Sequence, residues 1–388
     1  MSRDGGFSLK IGVCGCLIDA SRYRSEWYVI KVFDPDRRPL RHRSSSSSSS
    51  SRVKKKKKEK VRTMISTKLL SPISVTESDP ISLCKNHLAI GSSLYCFGGL
   101  ILDSDRDAHE KVWRLDLGLD SLWPRPSGDW NSVPLMKFYK RWEPRTLVLH
   151  NKLYVLGGFY SQKSRGTFPI PAEAGWMEEF DPSLQEWKAL PNPPFGIYSV
   201  PAIAVPLHAK KQILVAYYSD LKHYYLEFYI YDVMSRSWTT FASGSRCIDD
   251  SAPLTGRVVM VGNTLYWPSL EDLQEAGMCT IYAYNLDMDV VSRGHFSVRS
   301  VLDDADTDEH LYCNSEPPGL IHLGGRKFCL LLHSSSRGSY YLNCLVLHLE
   351  EDYSDYHYYD SGFLTISILS YQKYALPHYI DLWDNVLL

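Results

Sequence analysis

No run of eighteen or more apolar residues occurs in the 388-residue chain, which argues against a membrane-spanning helix. The one short apolar run near the start, Ile11–Ile18, is half Gly or Cys, a poor helix and a poor signal-peptide core. Cysteine offers no framework either. The nine thiols (Cys14, Cys16, Cys84, Cys96, Cys247, Cys279, Cys313, Cys329 and Cys344) include no Cys-x-x-Cys pair, so zinc ribbons and thioredoxin-like redox centres are unsupported. Several lie inside apolar runs, as in Leu94-Tyr95-Cys96-Phe97, where cysteine acts as a small buried hydrophobe, and a reducing compartment is expected. No Gly-x-Gly-x-x-Gly or P-loop opens a helix, and there is neither a Gly-x-Ser-x-Gly elbow nor a His-Glu-x-x-His pair. The thirteen histidines do not cluster at ligand spacing, and His322 and His348 fall in predicted strands as structural residues. Asp303, Asp304, Asp306, Asp308 and Glu309 lack the glycine and spacing of a calcium loop and read as a solvated acidic loop. No catalytic residue, metal or cofactor is therefore expected.

What is abundant is aromatic side chains, 13% of the chain, and one block of positive charge. Residues 37–62 carry twelve Lys or Arg against the single acid Glu59, while the whole chain has a net charge of −1, so the remainder is acidic. Within that block lie eight consecutive serines, 44–51, and then Lys54, Lys55, Lys56, Lys57, Lys58 and Lys60. Such a composition cannot bury a core and is expected to be disordered. Three readings apply to it: a solvated linker, a nuclear signal read by an import receptor, or a contact for polyanions. The absence of interleaved aromatics counts against a dedicated nucleic-acid surface.

The remainder repeats. Two short apolar runs split by turn residues recur as His87–Ile90 with Leu94–Gly99, Thr146–Leu149 with Leu153–Gly158, Ala202–Val205 with Ile213–Tyr217, Val258–Val261 with Leu265–Trp267, and Leu320–Leu323 with Phe328–Leu332. Gly, Asn and Ser between the runs tolerate the positive φ of tight hairpins. A third strand ending in an aromatic or aliphatic residue and Asp or Asn follows at Val112–Asp116, Met177–Asp181, Phe228–Asp232 and Ile281–Asn285. Tryptophan comes next at Trp130, Trp187 and Trp238, the first two in Trp-x-x-aliphatic-Pro. Corresponding positions 95, 154, 214, 266 and 329 are separated by 59, 60, 52 and 63 residues. A regular period of this size marks a repeat architecture.

A hairpin ending in Gly-Gly, then an aromatic-Asp strand, then Trp resembles the kelch repeat. The full signature stands in the first two copies and degenerates over the next three. The resemblance implies an all-β, kelch-type β-propeller of four-stranded antiparallel blades. Six blades are expected, with five and seven as the alternatives, and Trp130, Trp187 and Trp238 as packing residues between them. Residues 1–43 read as N-terminal strands contributing a blade, because Trp27–Pro35 ends in the same Phe-Asp-Pro as Phe180-Asp181-Pro182. Residues 44–66 read as a Ser/Lys-rich insertion between the first and second units, and 67–388 as the remaining blades with a closing C-terminal segment. Closure, which removes open strand edges, falls to the stretch around Phe363–Tyr371 or to the tail beyond it.

Function by resemblance is protein binding, as in plant kelch proteins joined to an F-box, although residues 1–43 do not read as a three-helix F-box. The alternative is a propeller enzyme of the galactose-oxidase-like type with a pocket at the channel mouth. Alternating strand direction places second-to-third-strand loops and inter-blade links on one face. The longest such loop, 159–175, carries Phe159, Tyr160, Lys163, Arg165 and Phe168, residue types that anchor protein interfaces. The others are placed at 100–111, 218–227, 268–280 and 333–340. A monomer in the cytoplasm, the nucleus or both is expected, with a protein partner and no membrane.

Overall fold

The computed structural model describes residues 8–19, 22–33, 62–72, 74–77, 86–97, 112–118, 125–126, 129–138, 141, 144–158, 175–196, 201–220, 225–241, 246–247, 258–269, 277–302, 310–312, 320–353, 362–378 and 381–387. Nearly all the regular secondary structure among them is strand. The first sheet holds β1 (Ser8–Asp19), β2 (Arg22–Phe33) and β4 (Ser74–Glu77). Between the last two, β3 (Arg62–Leu69) leaves for another sheet. The second contains β5 (Asn86–Ile90), β6 (Ser93–Phe97), β7 (Val112–Gly118), the two-residue β8 (Arg125–Pro126) and β9 (Asn131–Val133). The third is β10 (Arg145–Leu149), β11 (Lys152–Leu156), β12 (Met177–Asp181) and β13 (Glu186–Leu190). The fourth is β14 (Ile203–Leu207), β15 (Gln212–Asp220), β16 (Tyr225–Asp232) and β17 (Ser237–Thr240), with β18 (Arg246–Cys247) beside β16. The fifth is β19 (Val259–Val261), β20 (Thr264–Ser269), β21 (Met278–Asn285) and β22 (Val290–Ser297). The sixth, preceded by β23 (His310–Tyr312), is β24 (Leu320–Gly324), β25 (Lys327–Ser336), β26 (Ser339–Asp352) and β27 (Gly362–Leu376).

Sheets two to six follow antiparallel meanders in chain order, and the fifth and sixth are joined into one ten-stranded sheet by a short parallel pairing of β22 with β27, Ser292 beside Gly362 and Arg293 beside Phe363. The first differs: its order is β28-β1-β2-β4, where β28 (Asp381–Leu387) comes from the C-terminus and pairs with β1, Ile11 opposite Leu387. The stretch Phe363–Tyr371 lies in β27 instead, the fourth strand of the sixth sheet. The Ser/Lys-rich segment therefore falls inside the first sheet, between its third and fourth strands, and not between two units. Its end, residues 62–66, belongs to β3, which runs parallel along β27 beyond the pairing with β22, with Arg62 beside Ser370. A further stretch of that edge is thereby covered.

Successive side chains on a strand point to opposite faces, and here both faces are buried, which is why the hairpins read as unbroken apolar runs. Leu94 packs toward Trp27 of the first sheet, whereas Tyr95 and Phe97 pack toward Leu153, Phe180 and Trp187 of the third. Tyr154 and Leu156 meet Ile213 and Val215, Leu214 meets Leu265 and Trp267, and Tyr266 meets Phe328 and Leu330. Cys329, Leu331 and Cys344 complete the circuit on Ile11, Tyr28 and Ile30. Each sheet thus packs on the next and the sixth on the first, the arrangement of a β-propeller. Cys329 and Cys344 stay buried with sulfurs 3.2 Å apart, and burial pushes the Cys329 thiol well up, so it behaves as a protonated core group.

The tryptophans tie neighbours together. Trp187 Nε1 donates to the Pro134 carbonyl at 2.8 Å, and Trp238 Nε1 donates to the Pro191 carbonyl at 2.9 Å. Each proline closes the Trp-x-x-aliphatic-Pro of the preceding sheet, so the repeat spacing also sets a hydrogen bond between sheets. The Asp of the third strand has a local task. Asp181 accepts from Ser183 N and Oγ, and Asp232 accepts from the backbone N–H of Met234 and Ser235, forming Asx turns into the fourth strand.

Candidate protein-binding face

In every meander the second-to-third-strand loop and the link to the next sheet leave at one end; that end is the loop face. Phe159, Tyr160, Lys163, Arg165 and Phe168 lie outside the described residues, as do Lys54–Lys58, Lys60 and the acidic run Asp303–Glu309. Elsewhere the loops are shorter than the sequence pattern suggests. β15 and β16 continue to Asp220 and from Tyr225, and β25 meets β26 across a turn at Arg337-Gly338, so strand pairing runs on into segments read as loop. His322 stands in β24 opposite Phe328, with its Nε2 2.9 Å from the Gly325 carbonyl.

The two roots of the 159–175 loop are well defined. Gly157 N donates to the Trp176 carbonyl at 2.8 Å, which brings the loop back to where it left. Gly158 has φ 82°, and a Cβ there would sit 2.7 Å from Pro144 N, so the second glycine of the pair is required both by conformation and by close packing. Beneath this root Arg141 is fully buried. Its guanidinium donates to Gly157 O, to Trp176 O at 3.0 Å, to Gly175 O at 3.1 Å and to Glu178 Oε1 at 3.1 Å. Glu178 also accepts from Lys137 N at 2.7 Å and Phe138 N at 3.1 Å. Burial pushes the Glu178 carboxyl above its ordinary range, against the opposing pull of Arg141 and the two backbone N–H groups. The pair pins the link between sheets two and three to the base of the loop.

One junction further on, the same end is built from rings. Phe195, in the link after β13, stacks on Tyr217 of β15 (centroids 4.4 Å, planes 27° apart) and leans on Tyr229 of β16 at 4.9 Å. Trp176 and Trp238 flank it at 5.3 and 6.0 Å. Both tyrosine hydroxyls donate to Glu227 Oε2, each at 3.0 Å. Burial first, then the hydrogen bond to Glu227, raises the pKa of both hydroxyls, so they remain protonated donors. Phe195, Tyr217, Tyr229 and Glu227 are only partly buried. Sequence reasoning missed this group and the Arg141–Glu178 pair. One signal was available: Phe138 and Phe195 stand at the same offset in Trp-x-x-x-Pro-x-x-x-Phe, from Trp130 and Trp187.

Among the described residues no three His, Cys, Asp or Glu side chains group to hold a metal ion, and no helix is long and apolar enough to cross a membrane. No family model matches the sequence. Two F-box/kelch-repeat proteins of Arabidopsis thaliana, At4g39290 and At4g39590, are each 32% identical to it, over 128 and 120 residues, which is 33% and 29% of this chain. Over the matched segments the repeats resemble those of kelch-repeat proteins. The kelch likeness covers only part of each protein: the matches span 30% and 26% of those relatives' own lengths. Among solved structures, YjhT is similar over 74% of this chain and 79% of its own at 11% identity and TM-score 0.36. An ulvan-degrading polysaccharide lyase aligns over 67% of both chains at 10% identity and TM-score 0.30. Likenesses this weak carry no argument, and the kelch-type reading rests on the repeat, the sheet order and the Arabidopsis relatives.

Proposed function

We propose that this chain is a six-bladed kelch-type propeller acting as a non-enzymatic protein-recognition platform through its loop face. The observation that carries this reading is the partly exposed aromatic group of Tyr217 and Tyr229, held on strands β15 and β16, with Phe195 of the preceding link stacked against them, one junction from the root of the longest loop. Rigid aromatic surface of this kind binds at low entropic cost, and aromatic and arginine side chains dominate interface energetics. The naming of the Arabidopsis relatives as kelch-repeat proteins supports the same use. Phe159, Tyr160, Lys163, Arg165 and Phe168 are the proposed anchors within the loop.

The test is a capture experiment with the full chain and the double variant Tyr160→Ala/Arg165→Ala, with bound proteins identified by mass spectrometry. Partner capture should weaken by about 2 kcal/mol or more, the scale of interface hot spots. Melting should move by less than about 0.5 kcal/mol, as for exposed loop changes. Unchanged capture of every partner would remove the loop from the proposal.

Lys54–Lys58 and Lys60 are proposed to be read by an import receptor. Replacing Lys54–Lys58 by alanine should lower the nuclear fraction of the tagged protein and leave its melting temperature unchanged, since solvated like charges contribute little to packing. An unaltered distribution leaves only the linker reading.

A further inference from the structure

We infer that Glu227, Tyr217, Tyr229 and Phe195 form a subsite for a cationic side chain, an arginine or lysine presented by the protein partner. The inference rests on the loop-face reading above and names the chemistry that one part of this face selects.

Three observations lead to it. Glu227 uses Oε2 for both tyrosine hydroxyls, and among the described residues no cation pairs with it. Three other third-strand carboxylates carry a cation: Glu178 is closed by Arg141 at 3.1 Å, Glu179 by Lys152 at 3.3 Å, and Asp116 by Arg114 at 2.8 Å. Glu227 is thus a partly exposed carboxylate whose position is fixed by two donors while Oε1 makes no described contact.

The second observation is the rings. A guanidinium reaching a carboxylate gains from lying against aromatic faces, whose quadrupole attracts positive charge. Phe195, Tyr217 and Tyr229 surround that approach with centroids 4.4 to 5.9 Å apart. Because the hydroxyls donate to Glu227, the phenol oxygens are oriented by the protein before any ligand arrives.

The third is the charge of the body. Residues 37–62 hold an excess of eleven positive charges in a chain whose net charge is −1, so the rest of the chain is acidic and favours the approach of a basic segment. An acidic segment would meet both the body and Glu227 as like charges.

The experiment uses the full chain and two capped peptides, Gly-Arg-Gly-Arg-Gly and its citrulline counterpart, which keeps the shape and loses the charge. Calorimetry should give the arginine peptide an affinity at least about tenfold above the citrulline peptide, the order expected for one charge-assisted contact on aromatic faces, and it should fall with added salt. Glu227→Gln should remove most of that difference. Asp287→Asn, a carboxylate in the turn after β21, should leave it intact. Equal binding of the two peptides, or full arginine preference in Glu227→Gln, overturns the subsite. Should Glu227→Gln fail to fold, the two peptides on the parent chain and Tyr217→Phe, expected to weaken arginine binding severalfold, still decide. The two readings fail separately. A Glu227→Gln chain that keeps its captured partners while Tyr160→Ala/Arg165→Ala loses them sinks the subsite and leaves the recognition face. Loss in neither variant sinks the face.

Discussion

The second-to-third and third-to-fourth sheet junctions are made from the same repeat and end differently on the loop face. Both carry a Trp donating to a proline carbonyl of the preceding sheet and a Phe eight residues after a Trp. The residue three before the third-strand Asp is Glu178 in one and Tyr229 in the other. In the first case a buried arginine satisfies the carboxylate and the junction is sealed. In the second, rings and hydroxyls reach partway into solvent around a carboxylate with no described cation. A repeat fixes the frame of each junction, and the residues three and five before the third-strand Asp, Glu178 and Trp176 in one and Tyr229 and Glu227 in the other, set what lies at its end.

The sealed junction should be the more costly to disturb. Arg141→Leu leaves Glu178 buried without its cation and should cost about 3–5 kcal/mol in denaturant unfolding. Adding Glu178→Leu should recover most of that, since an apolar pair of similar volume is often neutral or better. If the double variant is as unstable as the single one, the backbone bonds made by Arg141, not the charge, hold the link.

The tryptophans give a second, slightly smaller contrast. Trp187, 3% exposed, packs edge-on against Phe97 and close to Phe180, so Trp187→Ala should cost about 3–4 kcal/mol. Trp238 is partly exposed and Trp238→Ala should cost about 1–2 kcal/mol, mainly its bond to Pro191 and its contact with Trp176. Equal losses would mean that the third-to-fourth junction is as tightly sealed as its neighbour.

The smallest effect lies on the opposite face. Hydrogen bonds from Ser183 hold the Asp181 carboxyl below its usual range, and Arg114 does the same for Asp116. Depressed carboxyl values stabilise the fold fully above the unfolded value of about 4, and that contribution fades as pH falls through the lower folded values. Asp181→Asn should therefore flatten, slightly, the loss of stability on acidification below about pH 4. An unchanged slope would show that the turn carboxylate is not coupled to folding.

Most of the architecture was legible in sequence for a local reason. Hairpins such as Leu147–Leu156 place two apolar runs around a turn, and the Asp and Trp positions follow at fixed offsets. What was not legible acts over distance. β3 begins in the basic segment and pairs parallel to a strand about 300 residues later, with no alternating pattern to announce it. β28 is a short mixed strand whose role comes only from β1. Arg141 and Glu178 are 37 residues apart, and neither stands out until the chain is folded. Tyr217 ends a run read as strand, but Glu227 falls in the segment 218–227 read as loop, although β15 and β16 pair the two directly.

The first sheet has a consequence for synthesis. β1 is made long before its partner β28. β3 likewise waits for β27. Until those strands emerge, the nascent chain carries an uncovered β1 edge and an apolar face of Ile11, Tyr28 and Ile30 without the strands that bury it. At about 5–20 residues added per second, that edge stays open for many seconds of elongation.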